Sequence, residues 1–227
     1  EGYGINIRNI TEFAMKEYKN DVPEMFKPKN VNDKDSKFDQ IVMAKTQQAA
    51  TIIQLKLEGQ IIKRHPEFYM EDRLLLDKID YEKGTIKIDG KEYKLLENYF
   101  PTINPQAPYE LSEAEVEVVK KLTKSFKNSE KLQRHIQFLY SKGSIYKVHN
   151  GNLLIHGCVP MSSFGNFISV NIKGRNLSGR AYLDYVDKIA REGYFEDEGS
   201  DKREYGKDYL WYLWCGKNSP IFCKDKM

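Results

Sequence analysis

The stretch Asn150-Gly-Asn-Leu-Leu-Ile-His-Gly-Cys-Val-Pro-Met161 decides how the chain reads. Asn-Gly is the dipeptide most strongly tied to a two-residue hairpin turn, because both residues tolerate positive φ. Leu153, Leu154 and Ile155 follow as a short apolar run, the pattern of a strand buried on both faces. The run stops at His156-Gly157. A side chain that can bind a metal or move a proton therefore stands at a strand end, where open α/β sheets bind ligands. Gly157 lets backbone or ligand approach closely, and Pro160 stops further pairing. A single histidine never defines a metal site. Local pattern alone favours an ordinary half-buried His156 with its ring satisfied by a carbonyl.

Working outward, Ile145–His149 supplies the first strand of that hairpin. Downstream, Phe167–Ile172 alternates as another strand and runs into a Lys173-Gly174 turn. Ser178 starts a helix over Arg180–Glu192, ended by Gly193. Residues 196–203 are highly charged and read as a solvated loop, within which Ser200 caps a last helix. That helix carries Tyr209, Leu210, Trp211, Leu213 and Trp214, an aromatic cluster of the kind that fills a core.

Upstream, Asn128 or Ser129 caps a helix with Leu132, Ile136 and Leu139, closed by Gly143. His135 lies within it and reads as a surface or locally satisfied histidine. Ser112 with Glu115 is a capping box that opens a helix through Val116, Val119, Leu122 and Phe126. Residues 98–110 hold three prolines and read as a surface connection. Thr85–Leu95 alternates about Asp89-Gly90, a second hairpin signal. Ser36 with Asp39 opens the longest helical pattern, from about Lys37 to Arg64, which ends at His65-Pro66 because proline disfavours helix at the preceding residue. At that C-terminus His65 is favoured in its positive form, and no second ligand lies at i±4. Residues 20–36 read as a loop, and Thr11 as the cap of a short helix over Glu12–Tyr18.

The chain has 227 residues, 40% hydrophobic and 30% charged, a composition that builds a packed core. Thirty-six basic residues against 33 acidic ones give a net charge of +3, too even for an obligate nucleic-acid partner. No apolar run approaches the ~20 residues of a spanning helix, which points away from a membrane. Cys158, Cys215 and Cys223 form no CxxC pair and read as reduced thiols of a cytoplasmic protein, with no disulfide expected. The start at Glu1 and the charged run before Met227 suggest an internal fragment of a longer chain.

Six runs carry a resemblance to a known family: Glu58-Gly-Gln-Ile-Ile-Lys-Arg64, Leu74-Leu-Leu-Asp-Lys-Ile-Asp80, Ala107-Pro-Tyr-Glu-Leu-Ser-Glu113, Asn128-Ser-Glu-Lys-Leu-Gln-Arg-His135, Asn150-Gly-Asn-Leu-Leu-Ile-His-Gly-Cys158 and Leu210-Trp-Tyr-Leu-Trp-Cys-Gly216. In composition and order they resemble the class III (Firmicutes-type) fructose-1,6-bisphosphatases of bacteria, across essentially the whole chain. Lys217 and Cys223 depart from that likeness, standing where proline and glycine are expected.

The resemblance implies membership of the calcineurin-like metallophosphoesterases, and with it an α+β chain cut from a four-layer α/β sandwich. By that likeness residues 1–35 are a short helix and linker, 36–110 a helical and hairpin insertion, and 111–227 part of the phosphoesterase core. His156 becomes one metal ligand, with manganese the implied ion and two ions in the intact enzyme. The implied reaction is hydrolysis of the 1-phosphate of fructose 1,6-bisphosphate by two-metal activation of water, in gluconeogenesis. The superfamily's Asp-x-His, Gly-Asp-x-x-Asp-Arg, Gly-Asn-His and later Gly-His motifs do not occur in these 227 residues. No catalytic or substrate-contacting residue is therefore assigned, and the chain alone is expected to be inactive. The implied partners are a sugar bisphosphate and further copies of the enzyme. A competing reading makes the chain a non-enzymatic protein-interaction module, resting on the amphipathic region 36–110.

Overall fold

The computed structural model describes residues 2–20, 23–29 and 36–222. It is an α+β structure of helices and small antiparallel sheets, in two compact units: one of residues 1–64 and 71–133, the other of 65–70 and 134–227. Residues 21–22 and 30–35 of the expected 20–36 loop, and Cys223, fall outside the described residues.

In the first unit, α1 spans Arg8–Glu17. It starts one turn earlier than the Thr11 cap predicts, because Asn6 Oδ1 accepts from Arg8 N–H at 2.9 Å. Thr11 lies inside the helix, and its hydroxyl donates back to the Ile7 carbonyl. Helix α2 runs Lys37–Arg64 as expected. Ser36 Oγ accepts from Asp39 N–H at 3.1 Å while Asp39 Oδ2 accepts from Ser36 N–H at 3.0 Å, so the box satisfies two donors reciprocally. The Ser36 hydrogen bonds hold the Asp39 carboxyl below its usual range.

Strands β1 (Ile79–Asp80), β2 (Thr85–Ile88) and β3 (Lys91–Lys94) form one antiparallel sheet, the last two joined through Asp89 and Gly90, both at positive φ. Helix α3 covers Glu113–Lys127, with both bonds of its Ser112–Glu115 capping box present. Ile10, Phe13, Ala14, Tyr18, Ala49, Ile53 and Val118 make one core cluster; Ile52, Leu76, Ile103 and Tyr109 make another.

The connection 98–110 is thus more than a surface link. Tyr109 lies against Gly59 of α2, where a Cβ would collide with its ring, and its hydroxyl accepts from Leu76 N–H at 3.1 Å. Proline-rich chain can be buried when its few polar groups find partners.

At the centre of this unit Lys56 and Glu115 are both fully buried, Nζ to Oε2 2.7 Å. Lys56 also donates to the Thr102 carbonyl at 2.6 Å, and the same Glu115 oxygen accepts from Ser112 N–H at 2.7 Å. Glu115 therefore caps α3 and neutralises a buried lysine at once. Tyr18 lies in the same interior, its hydroxyl 3.1 Å from Thr102 Oγ1, and burial pushes its phenol up to about 12.

Helix α4, Glu130–Lys142, leads to the hairpin of β4 (Tyr146–His149) and β5 (Asn152–Ile155). Its C-terminal carbonyls, Tyr140 and Gly143, accept from the Arg191 guanidinium at 2.8 and 2.9 Å, a cationic cap. Strands β6 (Val170–Ile172) and β7 (Arg175–Leu177) pair through Lys173-Gly174. Strand β6 is shorter than expected because Phe167 is diverted into an isolated bridge with Met161.

Helix α5 spans Gly179–Phe195 and α6 Asp201–Cys215, with Ser200 Oγ accepting from Arg203 N–H as the expected cap. Gly193 does not end α5. It sits within the helix against Gly206 of α6, where a Cβ would lie 2.6 Å from the Gly206 carbonyl carbon. Tyr182, Leu183, Val186, Ile189, Tyr205, Tyr209, Tyr212 and Leu213 fill this unit's core. Trp214, expected there, is 72% exposed because α6 turns it to the opposite face.

Candidate functional site

The stretch around His156 folds as the turn chemistry dictates. Asn150 and Gly151 both have positive φ, and β4 pairs with β5 in the register Tyr146↔Ile155 to His149↔Asn152. Directly opposed residues share a face. One face is therefore Tyr146, Val148, Leu153 and Ile155, wholly apolar in its ring and aliphatic groups; the other carries Lys147, His149, Asn152 and Leu154.

The run expected to be buried on both faces is not. Leu153 and Leu154 are 50% and 52% exposed and Val148 62%. The root of the hairpin is held by Tyr146 OH donating to Asp184 Oδ1 at 2.7 Å and Ile145 N–H donating to Asp187 Oδ1 at 3.2 Å, both acceptors on α5. Continuous apolarity specifies burial only when a second layer is packed against each face.

His156 follows β5 at a bend and is exposed, neither enclosed in a core nor half-buried. The chain after it is firmly placed. Cys158 N–H donates to the Pro220 carbonyl at 3.0 Å, and Pro160 is buried, its carbonyl accepting from Ile168 N–H at 2.9 Å. Ser219, fully buried, donates to the Leu213 carbonyl and accepts from Ile221 and Phe222 N–H groups, which fixes the loop that receives Cys158. Cys158 and Cys215 are present as thiols.

The fit to a metal is partial. His156 offers one accessible imidazole at the end of an anchored strand, but no group of three His, Cys, Asp or Glu among the described residues could hold a metal ion. Nor does the cleft along α5 suit a sugar bisphosphate. A cleft of about 610 Å³ along α5 is lined by Asp184, Asp187, Glu192, Glu196 and Asp197 against Lys188 and Arg191, an acidic balance that repels phosphate.

A second histidine site was not legible in the sequence. His65 Nδ1 lies 2.9 Å from Glu67 Oε1 and Nε2 lies 2.9 Å from Asp208 Oδ2. The ring stacks on Phe68 at 4.7 Å and meets the Tyr205 edge at 5.3 Å. The Asp208 hydrogen bond, reinforced by Glu67, raises the His65 pKa against the opposing effect of burial. The two carboxylates thus favour the expected positive form for another reason than the end of α2. Glu67 at i+2 was the one sequence signal; Asp208, 143 residues away, gave none. His135 is exposed on α4.

Among the described residues no helix is long and apolar enough to cross a membrane. A sequence profile of the Firmicute fructose-1,6-bisphosphatases matches residues 1–227. The fructose-1,6-bisphosphatase class 3 of Clostridium novyi (strain NT) is 52% identical over 227 residues, and those of Clostridium botulinum strains Loch Maree / Type A3 and Langeland / NCTC 10281 / Type F are 51% and 50% identical. Each pairing covers 100% of this chain and 34% of the relative, so the chain spans about a third of the length of the curated relatives it matches. No solved structure matches it. With a profile matched from end to end and half its residues shared with these relatives, the chain belongs to the Firmicute fructose-1,6-bisphosphatase family.

Proposed function

We propose that this chain is a segment of a metal-dependent fructose-1,6-bisphosphatase, a cytoplasmic phosphoric monoester hydrolase that removes the 1-phosphate of fructose 1,6-bisphosphate in gluconeogenesis. The observation that carries the reading is the end-to-end family match. The exposed His156 on an anchored strand end supports it from the structure. In this reading residues 36–110 are the family's insertion and 111–227 part of a larger four-layer core. The enzyme takes two divalent ions, most simply manganese, and assembles as a homo-oligomer. When bound, such ions supply charge neutralisation and polarisation at the phosphoryl group.

This chain's own contribution is narrower. His156 binds through a neutral ring nitrogen, the β4–β5 hairpin fixes the height of its Cα, and the Cys158–Pro220 bond fixes the exit of the chain. The remaining ligands lie outside the described residues, so no catalytic step is assigned to the groups seen here.

The test is His156→Ala in the full-length polypeptide. Expected are unchanged far-ultraviolet circular dichroism, less than the full metal complement by elemental analysis, and hydrolysis of fructose 1,6-bisphosphate reduced by several orders of magnitude. Full metal content with near-parent activity would remove His156 from the site. Manganese-dependent turnover by the 227-residue chain alone would overturn the segment reading itself.

A further inference from the structure

The segment His65–Met70 leaves α2 and packs with the second unit, although its neighbours 64 and 71 both belong to the first. Two hydrogen bonds within it, Phe68 N–H to the His65 carbonyl and Tyr69 N–H to the Pro66 carbonyl, both at 3.0 Å, make a single 3-10 turn. A lone turn of this kind is poorly stable by itself. Tyr69 ends it at φ 53, a left-handed conformation that a tyrosine adopts only under constraint.

The constraint comes from side chains. Phe68 is buried against Tyr205, Tyr209 and Tyr212 of α6, at centroid separations of 6.4, 5.9 and 4.8 Å. His65 bridges Glu67 of its own turn and Asp208 of α6. Both ring nitrogens face carboxylate oxygens, and a carboxylate can only accept. With both carboxylates ionised, only the imidazolium lets both nitrogens donate, and the geometry favours that form. In the neutral ring one nitrogen would turn a lone pair on a carboxylate at 2.9 Å, and that bond would become a repulsion.

We propose that the His65–Met70 segment is a pH-operated latch, clasped onto α6 while His65 is an imidazolium and loosened when His65 gives its proton to water. The titratable groups that face the ring fit this reading. Glu67 and Asp208 stabilise the closed form, and Tyr205 is kept neutral by burial, with Lys173 Nζ 3.8 Å from its ring centroid. The raised pKa of His65 agrees in sign: closure is complete below the ordinary histidine value and is lost as pH rises through the folded-state value.

The test follows the histidine ring resonances of the protein through a pH titration, with His65→Gln identifying the relevant signal. The midpoint of His65 is expected above the ordinary ~6.5, and Asp208→Asn should move it down. Amide-exchange protection factors of Phe68 and Tyr69 should fall as pH passes that midpoint. In His65→Gln, which keeps a donor but cannot titrate, they should lose that dependence. A midpoint at or below the ordinary value overturns the proposal. So do protection factors that ignore pH in the parent, or that follow the same course in the parent and in His65→Gln. Should His65→Gln fail to fold, the Asp208→Asn midpoint and the parent's protection factors decide the matter by themselves.

Discussion

The unit containing α2 and α3 buries a lysine with its glutamate, whereas the unit containing α5 and α6 buries tyrosines around a contact between two glycines. In the first, specificity comes from a group that must be present: Lys56 without Glu115 would be an unpaired charge in a closed interior. In the second it comes from a group that must be absent, since any side chain at Gly193 or Gly206 strikes the backbone of the other helix. A buried ion pair penalises wrong partners, while a glycine contact penalises wrong volumes. Both are long-range decisions written as single residues.

The contrast is broken most severely at the ion pair. Lys56→Met leaves Glu115 buried without its cation and should cost about 3–5 kcal/mol in denaturant unfolding. Lys56→Met combined with Glu115→Gln keeps the capping box but removes the charge, so it should cost less than the single change. If the double variant is the weaker, the pair is not what holds this interior. Gly206→Ala tests the other unit. Its Cβ would meet Gly193 backbone that cannot swing aside, and overpacking of this kind costs about 1–3 kcal/mol. A neutral or stabilising result would show that the helices can separate, and the steric account would fail.

The caps should behave alike in both units, which sharpens the comparison by removing a common term. Ser36→Ala at α2 and Ser200→Ala at α6 each delete a side-chain cap bond, and each should cost about 1 kcal/mol. Unequal losses would locate extra strain at one helix start.

The smallest effects differ in sign. Asp39 is held below its ordinary 3.8 by Ser36, so its contribution is present above that value and lost as pH falls through the folded-state value. His65 is raised, so its contribution is present below about 6.5 and lost as pH rises through its folded-state value. Thermal melts followed separately at probes in the two units should therefore drift in opposite directions at the acid and alkaline ends.

Much of the local structure was legible because its causes sit within four residues of each other. The Ser36–Asp39 box and His65-Pro66 bounded α2 at both ends, and Ser112–Glu115 did the same for the start of α3. Asp89-Gly90 and Asn150-Gly151 set two hairpins of equal length through the same positive-φ turn. The likeness to the family was equally legible, since it lies in the order of residues and not in their contacts.

What the sequence could not determine was which surfaces would be covered. Leu153 and Leu154 looked buried and are half exposed; Trp214 looked buried and faces out; Gly193 looked like a helix end and is a helix contact. Lys56 stood four residues from Ile52 on a core-facing stripe, a position whose partner, Glu115, is 59 residues away. Asp208 reaches His65 across 143 residues. Turns and caps are settled by backbone torsions and hydrogen bonds inside a short window. Burial and charge pairing depend on which distant segments the tertiary structure brings into contact, and only the folded chain decides them.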